Sequence, residues 1–402
     1  MTAPELQLPF PRPDAVAISP VYTTLRRESP IARVRTPAGD VAWLVTGYEQ
    51  ARTLFADPRL GRSHPEPEKA ARVSDAAIVS GPTGSYDGEQ AAHERLRRLL
   101  VPAFSAGRMR RMADHVQELV DGCLDALQAA RDAAPDSPVD LHEHLSFPLP
   151  VRVICGLLGV PVADAEYFHG LSDRMSRFGT GGDADNAMRE FHRYMHGLVE
   201  QKRSEPGEDV VTDMVRAQEQ DPTFDERDMI RLAVGLLFAG HETTVARLDL
   251  GVVLLTGDEA RRDAFAADPD GQAPRTVEEI LRLASPGGLG LLRYAREDVE
   301  IDGTTIARGD AVVIATGAAN RDETAFEEPE EFDPQRSPNP HVAFGHGGYF
   351  CIGASLARTE MRIALASLFT RFPTLRLAVP VDALEAREDR VTGGLAAVPV
   401  VW

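Results

Sequence analysis

Cysteine is scarce in this chain: 402 residues include only Cys123, Cys155 and Cys351. Three thiols cannot build a disulfide framework, and such usage suits a reducing cytoplasm. Excess positive charge is missing too. Against 43 Lys and Arg stand 62 Asp and Glu, a formal net charge of −19. That balance argues against a nucleic-acid binder and against docking on anionic lipid. No apolar run approaches the roughly 18 residues that span a bilayer. The opening "MTAPELQLPFPRPDAV" lacks a basic region followed by an apolar core, so no signal peptide is expected. The protein is expected to be cytoplasmic and unanchored. There is also no internal repeat and no clear linker. What is present, 43% hydrophobic and 26% charged residues, is ordinary for a globular chain with a large buried core.

Along the chain, "PIARVRT", "PAGD" and "VAWLVTG" predict a hairpin within about 30–50, and "YEQARTLFAD" a short helix after it. Residues 58–90, rich in Pro, Gly, Ser and charge, read as a long loop of the kind that often serves as a lid or binding loop. The helical bulk spans about 93–285, with breaks at "DAAPDSP", "GTGGD" and "SEPGED". Its longest helical signal covers 223–257. That signal opens on the capping-box pattern Thr223-x-x-Glu226. It continues through "MIRLAVGLLFAG", apolar on nearly every face, which sends the helix through the core. A helix near 275–284, a small sheet in "DVEIDGTTIARGDAVVIAT" and an irregular acidic stretch at 321–340 complete the chain. The expectation is one mainly α domain over residues 1–402 with a small β part.

Cys351 stands out. Gly345, Gly347 and Gly348 crowd its approach, and glycine allows a backbone to come close to a ligand. Met361, Leu365, Leu368, Phe369 and Phe372 then recur at helical spacing. Cys351 is therefore expected at a helix start, where free N–H groups and the helix dipole favour a thiolate. One cysteine without a CxxC partner or a nearby His pair does not suit structural zinc, which takes four ligands. It suits a metal that brings most of its own ligands, such as haem iron. The plain alternative is a buried cysteine in a glycine-rich turn.

The run "FGHGGYFCIGASLAR" (344–358) resembles the haem-binding signature of cytochromes P450, FGxGxHxCxGxxLAR. Phe344, Gly345, Gly347, Cys351, Gly353, Leu356, Ala357 and Arg358 match it. The resemblance implies the P450 fold. Haem b would lie between the long central helix and the loop 344–352, with Cys351 as the axial thiolate on its iron. One position departs. Tyr349 stands where the family usually has a histidine that contacts a haem propionate. A phenol donates one hydrogen bond but carries no positive charge, so that contact is weakened or rerouted.

Within the long helix, "FAGHETT" (238–244) is unusual on physical grounds. Gly240 costs about 1 kcal/mol relative to alanine in a helix interior. Glu242 places a carboxylate in an apolar segment. Thr243 can turn its hydroxyl back to the carbonyl of Ala239, loosening the helix and suggesting a small polar pocket. The stretch is similar to the family's oxygen-activation motif AGx[DE]T. By that resemblance Ala239 and Gly240 leave room for O2, Thr243 steadies the activated oxygen and Glu242 relays protons. His241 is expected to face a groove or the core surface rather than the iron, and Arg247 to pair with a carboxylate from another helix, since Asp249 faces elsewhere, rather than to grip an acidic substrate.

Glu279 and Arg282 in "EEILRL" sit at i and i+3 on one helix face. They resemble the family's buried ExxR pair, completed by an arginine from FxxPxxFxxxR, here Phe326, Pro329, Phe332 and Arg336. The role implied is structural. His93 and Arg97 share a helix face in "HERLRR", and Arg293 opens the strand region. These three resemble the family's propionate contacts, although a solvated helix face is the plain reading of His93 and Arg97. The basic run Arg95, Arg98, Arg108, Arg110 and Arg111 could dock an acidic ferredoxin.

By the same resemblance, residues 60–90, 285–292 and 391–395 line the substrate pocket. The last two are rich in Gly and Leu, which suggests a roomy apolar cavity. Tyr86 is a candidate ring contact or a packing residue. No strand–GxGxxG–helix unit and no flavin or ferredoxin module is visible, so electrons would come from NAD(P)H through a ferredoxin and its reductase. The reaction implied is oxygen insertion into a secondary metabolite: a polyketide, macrolide, terpenoid or cyclic peptide. Oxidative coupling or desaturation without oxygen transfer is the alternative. The expected state is a monomer. A haem sensor and a zinc–thiolate protein are the readings from other classes.

Overall fold

The computed structural model describes residues 6–74, 76, 80–177, 182–221, 223–284, 289–387 and 393–402. The expected hairpin forms from Ile31–Arg35 and Val41–Val45, paired antiparallel from Ile31↔Val45 to Arg35↔Val41. Its second strand runs parallel to Ala311–Ile314, with Trp43 opposite Val312. Leu291–Ala295 pairs antiparallel with that strand, and the short Leu60–Gly61 closes the far edge of a five-stranded sheet. The helix Tyr48–Ala56 follows the hairpin as expected. Smaller sheets form from Val299–Ile301 with Thr304–Ile306, and from Val139–Asp140, Pro399–Val401 and Arg376–Leu377.

Helices dominate the rest: Glu89–Leu100, Ala106–Ala133, Pro148–Leu158, Ala165–Ser176, Gly182–Ser204 and Val210–Gln220 come before the central one. Helices end inside the expected breaks 132–138 and 204–209, at Ala133 and Ser204. "GTGGD" lies largely outside the described residues. The central helix, Glu226–Thr256, starts at Asp225 rather than Thr223. The Asp225 carboxylate accepts the N–H of Asp228 at 2.9 Å. The Thr223 hydroxyl is engaged elsewhere, donating to Asp221 at 2.6 Å and accepting from Arg95 at 2.8 Å. Aspartate caps at least as well as threonine and sits nearer the apolar run.

The helix Pro269–Leu283 begins earlier than the expected 275, because Asp268 caps it and Pro269 fits the first turn. The last helix, Ala354–Arg371, buries Met361, Leu365, Leu368 and Phe369 as its spacing predicts. These helices share the largest hydrophobic cluster, while two smaller clusters flank the sheet. The cysteine loop joins the helical and sheet regions through Gly347. A Cβ there would lie 2.8 Å from the Ala56 Cα and the Phe55 carbonyl, and its φ is +69°. Only glycine lets the loop lie on the Tyr48–Ala56 helix. Among the described residues no helix is long and apolar enough to cross a membrane.

Candidate active site

The loop before Cys351 is set by local bonds. Gly345 N–H donates to Val342 at 2.9 Å, Cys351 N–H donates to Phe344 at 2.9 Å, and a single 3-10 turn spans Gly347–Tyr349. Phe344 is covered by the Arg358 guanidinium, 4.6 Å from the ring centroid. Arg358 is held in turn by Glu278 at 2.7 and 2.8 Å. His341 and Arg358 together hold the Glu278 carboxyl down to about 2, against the upward push of burial. Nothing local in the sequence marked Glu278 as a partner.

Cys351 is the exposed cysteine; Cys123 and Cys155 are buried, and burial pushes the Cys155 thiol up to about 12. Although the residue is exposed, desolvation by the atoms packed around its sulfur raises the Cys351 thiol as well. The Gly353 N–H and the charges of Arg247, Arg97 and Arg358 oppose that rise without cancelling it. The helix start, expected to favour a thiolate, is therefore insufficient. Cys351 lies ahead of the Gly353 cap, and a metal cation is what would displace its proton.

A second cluster surrounds Tyr349. The His93 ring lies 4.2 Å from the phenol ring, and the guanidinium groups of Arg62 and Arg293 sit over it at 4.7 and 5.0 Å. Arg97 donates to the Phe350 carbonyl at 2.7 Å. Tyr349 donates its hydroxyl to Glu89 at 2.5 Å, so the phenol is spent on a protein carboxylate. Glu89 also takes the Arg62 and Ser63 N–H groups at 2.6 and 3.0 Å and pairs with Arg296 at 3.1 Å. Burial and neighbouring positive charge depress His93, and the same two effects bring Arg293 down to about 10. Such crowding of cations fits a dianionic ligand. Arg62 belongs to this group, although it sits in the loop where no pattern singled it out. Tyr86 donates to the Arg296 carbonyl at 3.1 Å and stacks under its guanidinium at 4.1 Å; it packs.

On the central helix, Thr243 donates to the Ala239 carbonyl at 2.8 Å and Thr244 to the Gly240 carbonyl at 3.1 Å. The helix nevertheless runs unbroken through 239–244; the expected loosening is not seen. Gly240 needs a correction. A Cβ there would lie 2.9 Å from Ile154 Cδ1, so its missing side chain serves the contact with the Pro148–Leu158 helix rather than room for O2. Glu242 is buried, with His241 Nδ1 3.7 Å from its Oε1. His241 is fully enclosed rather than at a groove, edge-on to Phe147 at 5.4 Å and to His169 at 5.7 Å. Burial lowers its pKa to about 3, so it is neutral. Arg247 also differs from expectation. Its Nη1 donates to the Thr243 carbonyl at 3.1 Å, and no ion pair with a carboxylate is found among the described residues. Asp249 does face elsewhere, accepting from His142 at 2.7 Å.

Glu279 and Arg282 are both fully buried and joined at 2.6 and 2.9 Å. Arg336 reaches Glu279 at 3.3 Å, and Arg282 donates to the carbonyls of Asn320, Pro329 and Glu331 over the Phe326 ring. The pocket segments 285–288 and 391–392, with residues 75 and 77–79 of the long loop, lie outside the described residues.

The model of the family described as Cytochrome P450 matches residues 273–385. Pentalenolactone synthase from Streptomyces exfoliatus is 42% identical over 412 residues, covering 98% of this chain and 99% of its own. The chain belongs to the cytochrome P450 family. A second P450, mycinamicin IV hydroxylase/epoxidase from Micromonospora griseorubida, is 37% identical over 98% of both chains. Among solved P450 structures, the putative thioether synthase SgvP involved in the tailoring step of griseoviridin superposes with a TM-score of 0.91, at 35% identity over all of both chains. The protein is a P450 monooxygenase with a haem iron held by an axial cysteine thiolate. The accessible Cys351 and the cation cluster at Tyr349 fit that group and its two carboxylates.

Proposed function

We propose that this P450 inserts one atom of O2 into a C–H or C=C bond of a small, largely apolar secondary metabolite, working in the cytoplasm as a monomer. The observation that carries the reading is the pairing of an accessible, cation-flanked Cys351 with the Ala239–Thr243 segment of one buried helix. Cys351 is the iron ligand, with Phe344, Gly345 and Gly353 shaping its loop. His93, Arg97, Arg293 and Arg62 hold the propionates, and Tyr349 acts only through Glu89. When bound, haem b activates O2 with two electrons and two protons. Thr243 offers a hydroxyl beside Ala239, and buried Glu242 carries protons inward. The substrate classes considered are polyketide, macrolide, terpenoid and cyclic peptide. Relatives named for mycinamicin IV hydroxylation or epoxidation and for pentalenolactone synthesis support that range. Oxidative bond formation without oxygen transfer is the second reading, favoured by the neighbour described as a putative thioether synthase.

Thr243→Ala tests the oxygen side. The haem spectrum is expected to stay intact while product per NAD(P)H falls by about tenfold or more and peroxide takes the difference. Full product yield from this variant would remove the role assigned to the hydroxyl. Labelled dioxygen then separates insertion from coupling, since coupling leaves no label in product.

Electrons are proposed to come from NAD(P)H through a reductase and an acidic ferredoxin docking near Arg97, beside Cys351. Arg95 and Arg108 are already committed to Asp221 and Asp213, which leaves Arg98, Arg110 and Arg111 exposed on that run. The rate of reduction is expected to fall steeply as ionic strength rises from ~0.01 to ~0.15 M, where the screening length drops from ~30 to ~8 Å. A flat salt profile would remove the docking site.

A further inference from the structure

A single π turn over His142–Ser146 holds the His142 imidazole in the interior, beside the central helix. Such turns are rare and gather at functional places. Asp249, on that helix, is fully buried. His142 Nδ1 lies 2.7 Å from Asp249 Oδ2, and its Nε2 lies 3.2 Å from Arg387 Nη2. A guanidinium has donors and no acceptor. Nε2 must therefore offer its lone pair, which makes the ring neutral: it donates through Nδ1–H to Asp249 and accepts from Arg387. The other Asp249 oxygen is enclosed without a hydrogen bond among the described residues, so this carboxylate leans on His142.

Arg387 carries a piece of backbone with it. It stands in the first arm of a hairpin whose second arm is 393–396. Ala386 bridges Leu395, the Arg387 N–H donates to the Gly394 carbonyl at 2.9 Å, and the Ala396 N–H donates to the Glu385 carbonyl at 2.9 Å. The second arm rests on the central helix: a Cβ on Gly394 would lie 3.5 Å from the Ala246 Cβ, one turn beyond Thr243. The hairpin is thus pinned to that helix twice, directly at Gly394 and through His142 to Asp249, a further turn along.

We propose that His142 is a proton-operated latch: while neutral it holds Arg387 and keeps the hairpin on the central helix beside Thr243, and on taking a proton it lets the hairpin go. A protonated Nε2 would set an N–H and a positive charge against the Arg387 N–H, with no acceptor for either. Arg387 is half-buried and can turn to water, whereas His142 and Asp249 are buried and cannot. Four groups face the ring. Asp249 and Asp140, which accepts the His142 N–H at 3.0 Å, favour its cation; Arg387 disfavours it, and His241, beyond the Phe147 ring, is neutral. Burial opposes the cation most, but the carboxylates outweigh burial and Arg387 together and place His142 above its ordinary 6.5. The latch is closed above that raised value and opens as pH falls through it, within the range a cell visits. That an open hairpin admits ligand to the pocket rests on the oxygenase reading of 391–395; the latch itself stands without it.

The test is hydrogen exchange of the holoenzyme, read at the amides of positions 387 and 396 and corrected for the pH dependence of free peptides. From about pH 8 to about pH 6 their protection is expected to fall by about tenfold, the change that one unit of pKa difference between closed and open states supplies. His142→Gln can donate to Asp249 and accept from Arg387 but takes no proton, so it should stay protected at both values. Arg387→Met has no latch and should be poorly protected at both. Asp249→Asn keeps the acceptor without the charge and should move the transition to lower pH. Protection that ignores pH in the parent overturns the proposal. So does a His142→Gln variant that loses protection as the parent does, or an Arg387→Met variant as protected as the parent at the higher pH. If His142→Gln fails to fold, the other two variants still decide. The link to the pocket is read separately, from the rate at which phenylimidazole shifts the haem Soret band. Arg387→Met should bind it about tenfold faster than the parent at the higher pH and at the parent's rate at the lower. Equal rates throughout, with the exchange result intact, overturn the pocket reading of the hairpin and leave the latch.

Discussion

Cys351→Ala is expected to abolish oxygenation and to erase the thiolate band from the reduced carbon monoxide difference spectrum. The size of the effect follows from the donor set. Cys123 and Cys155 are buried, and burial raises both of their thiols, so neither can substitute. Serine at the same position keeps the loop shape, including the N–H bond to Phe344 at 2.9 Å, but offers a far less acidic oxygen. Cys351→Ser should therefore hold less haem and show no thiolate band, while circular dichroism stays near the parent. A persistent thiolate band in either variant would mean that another sulfur binds the iron, and the site would have to be placed elsewhere.

The second large effect concerns stability. Glu279→Ala leaves Arg282 and Arg336 facing each other without their carboxylate. Arg282 is 1% exposed, so water cannot replace the lost partner. Breaking a buried ionic network of this kind costs ~3–5 kcal/mol, against a typical total of ~5–15 kcal/mol. The denaturant midpoint should fall sharply, and much of the expressed protein should be insoluble. The pH dependence has a definite sign. Burial pushes Glu279 up, but Arg282, the Asp333 N–H and Arg336 bring it below its ordinary 4.5. A lowered carboxylate stabilises the fold above its unfolded pKa, and that contribution is lost as pH falls through the lower folded value. The parent should thus lose stability below about pH 4.5 more steeply than the variant. A variant within ~1 kcal/mol of the parent would show that the carbonyls of Asn320, Pro329 and Glu331 suffice to hold Arg282.

Legibility followed sequence distance. The hairpin 31–45, the long helix and the cysteine loop were readable because their signals are local: alternation, apolar periodicity, and glycines at fixed spacing around one thiol. ExxR was readable through a motif, although its partners lie some 40 to 60 positions away. The phenol at 349 finds its carboxylate 260 positions earlier, and no local pattern announces Glu89 or Arg62. Two expectations failed through side-chain direction. Gly240 faces Ile154, and Arg247 turns along its own helix instead of across to a carboxylate; a helical wheel gives the face but not what the facing helix brings to it. Threonine at 223 matched a capping pattern, yet an aspartate two residues later made the stronger cap.

The ring of cations around Tyr349 has a consequence for how the enzyme is made. Positive groups from the Glu89–Leu100 helix, the long loop and the Leu291–Ala295 strand converge there, and Glu89, the carboxylate that meets them among the described residues, is already shared. Their repulsion sets helical and sheet regions against each other until two negative charges arrive, so a ligand that binds only the folded chain raises the folded fraction by mass action. Active enzyme recovered from cells should then rise with porphyrin and iron supply, and a culture starved of either should send newly made chains to proteolysis.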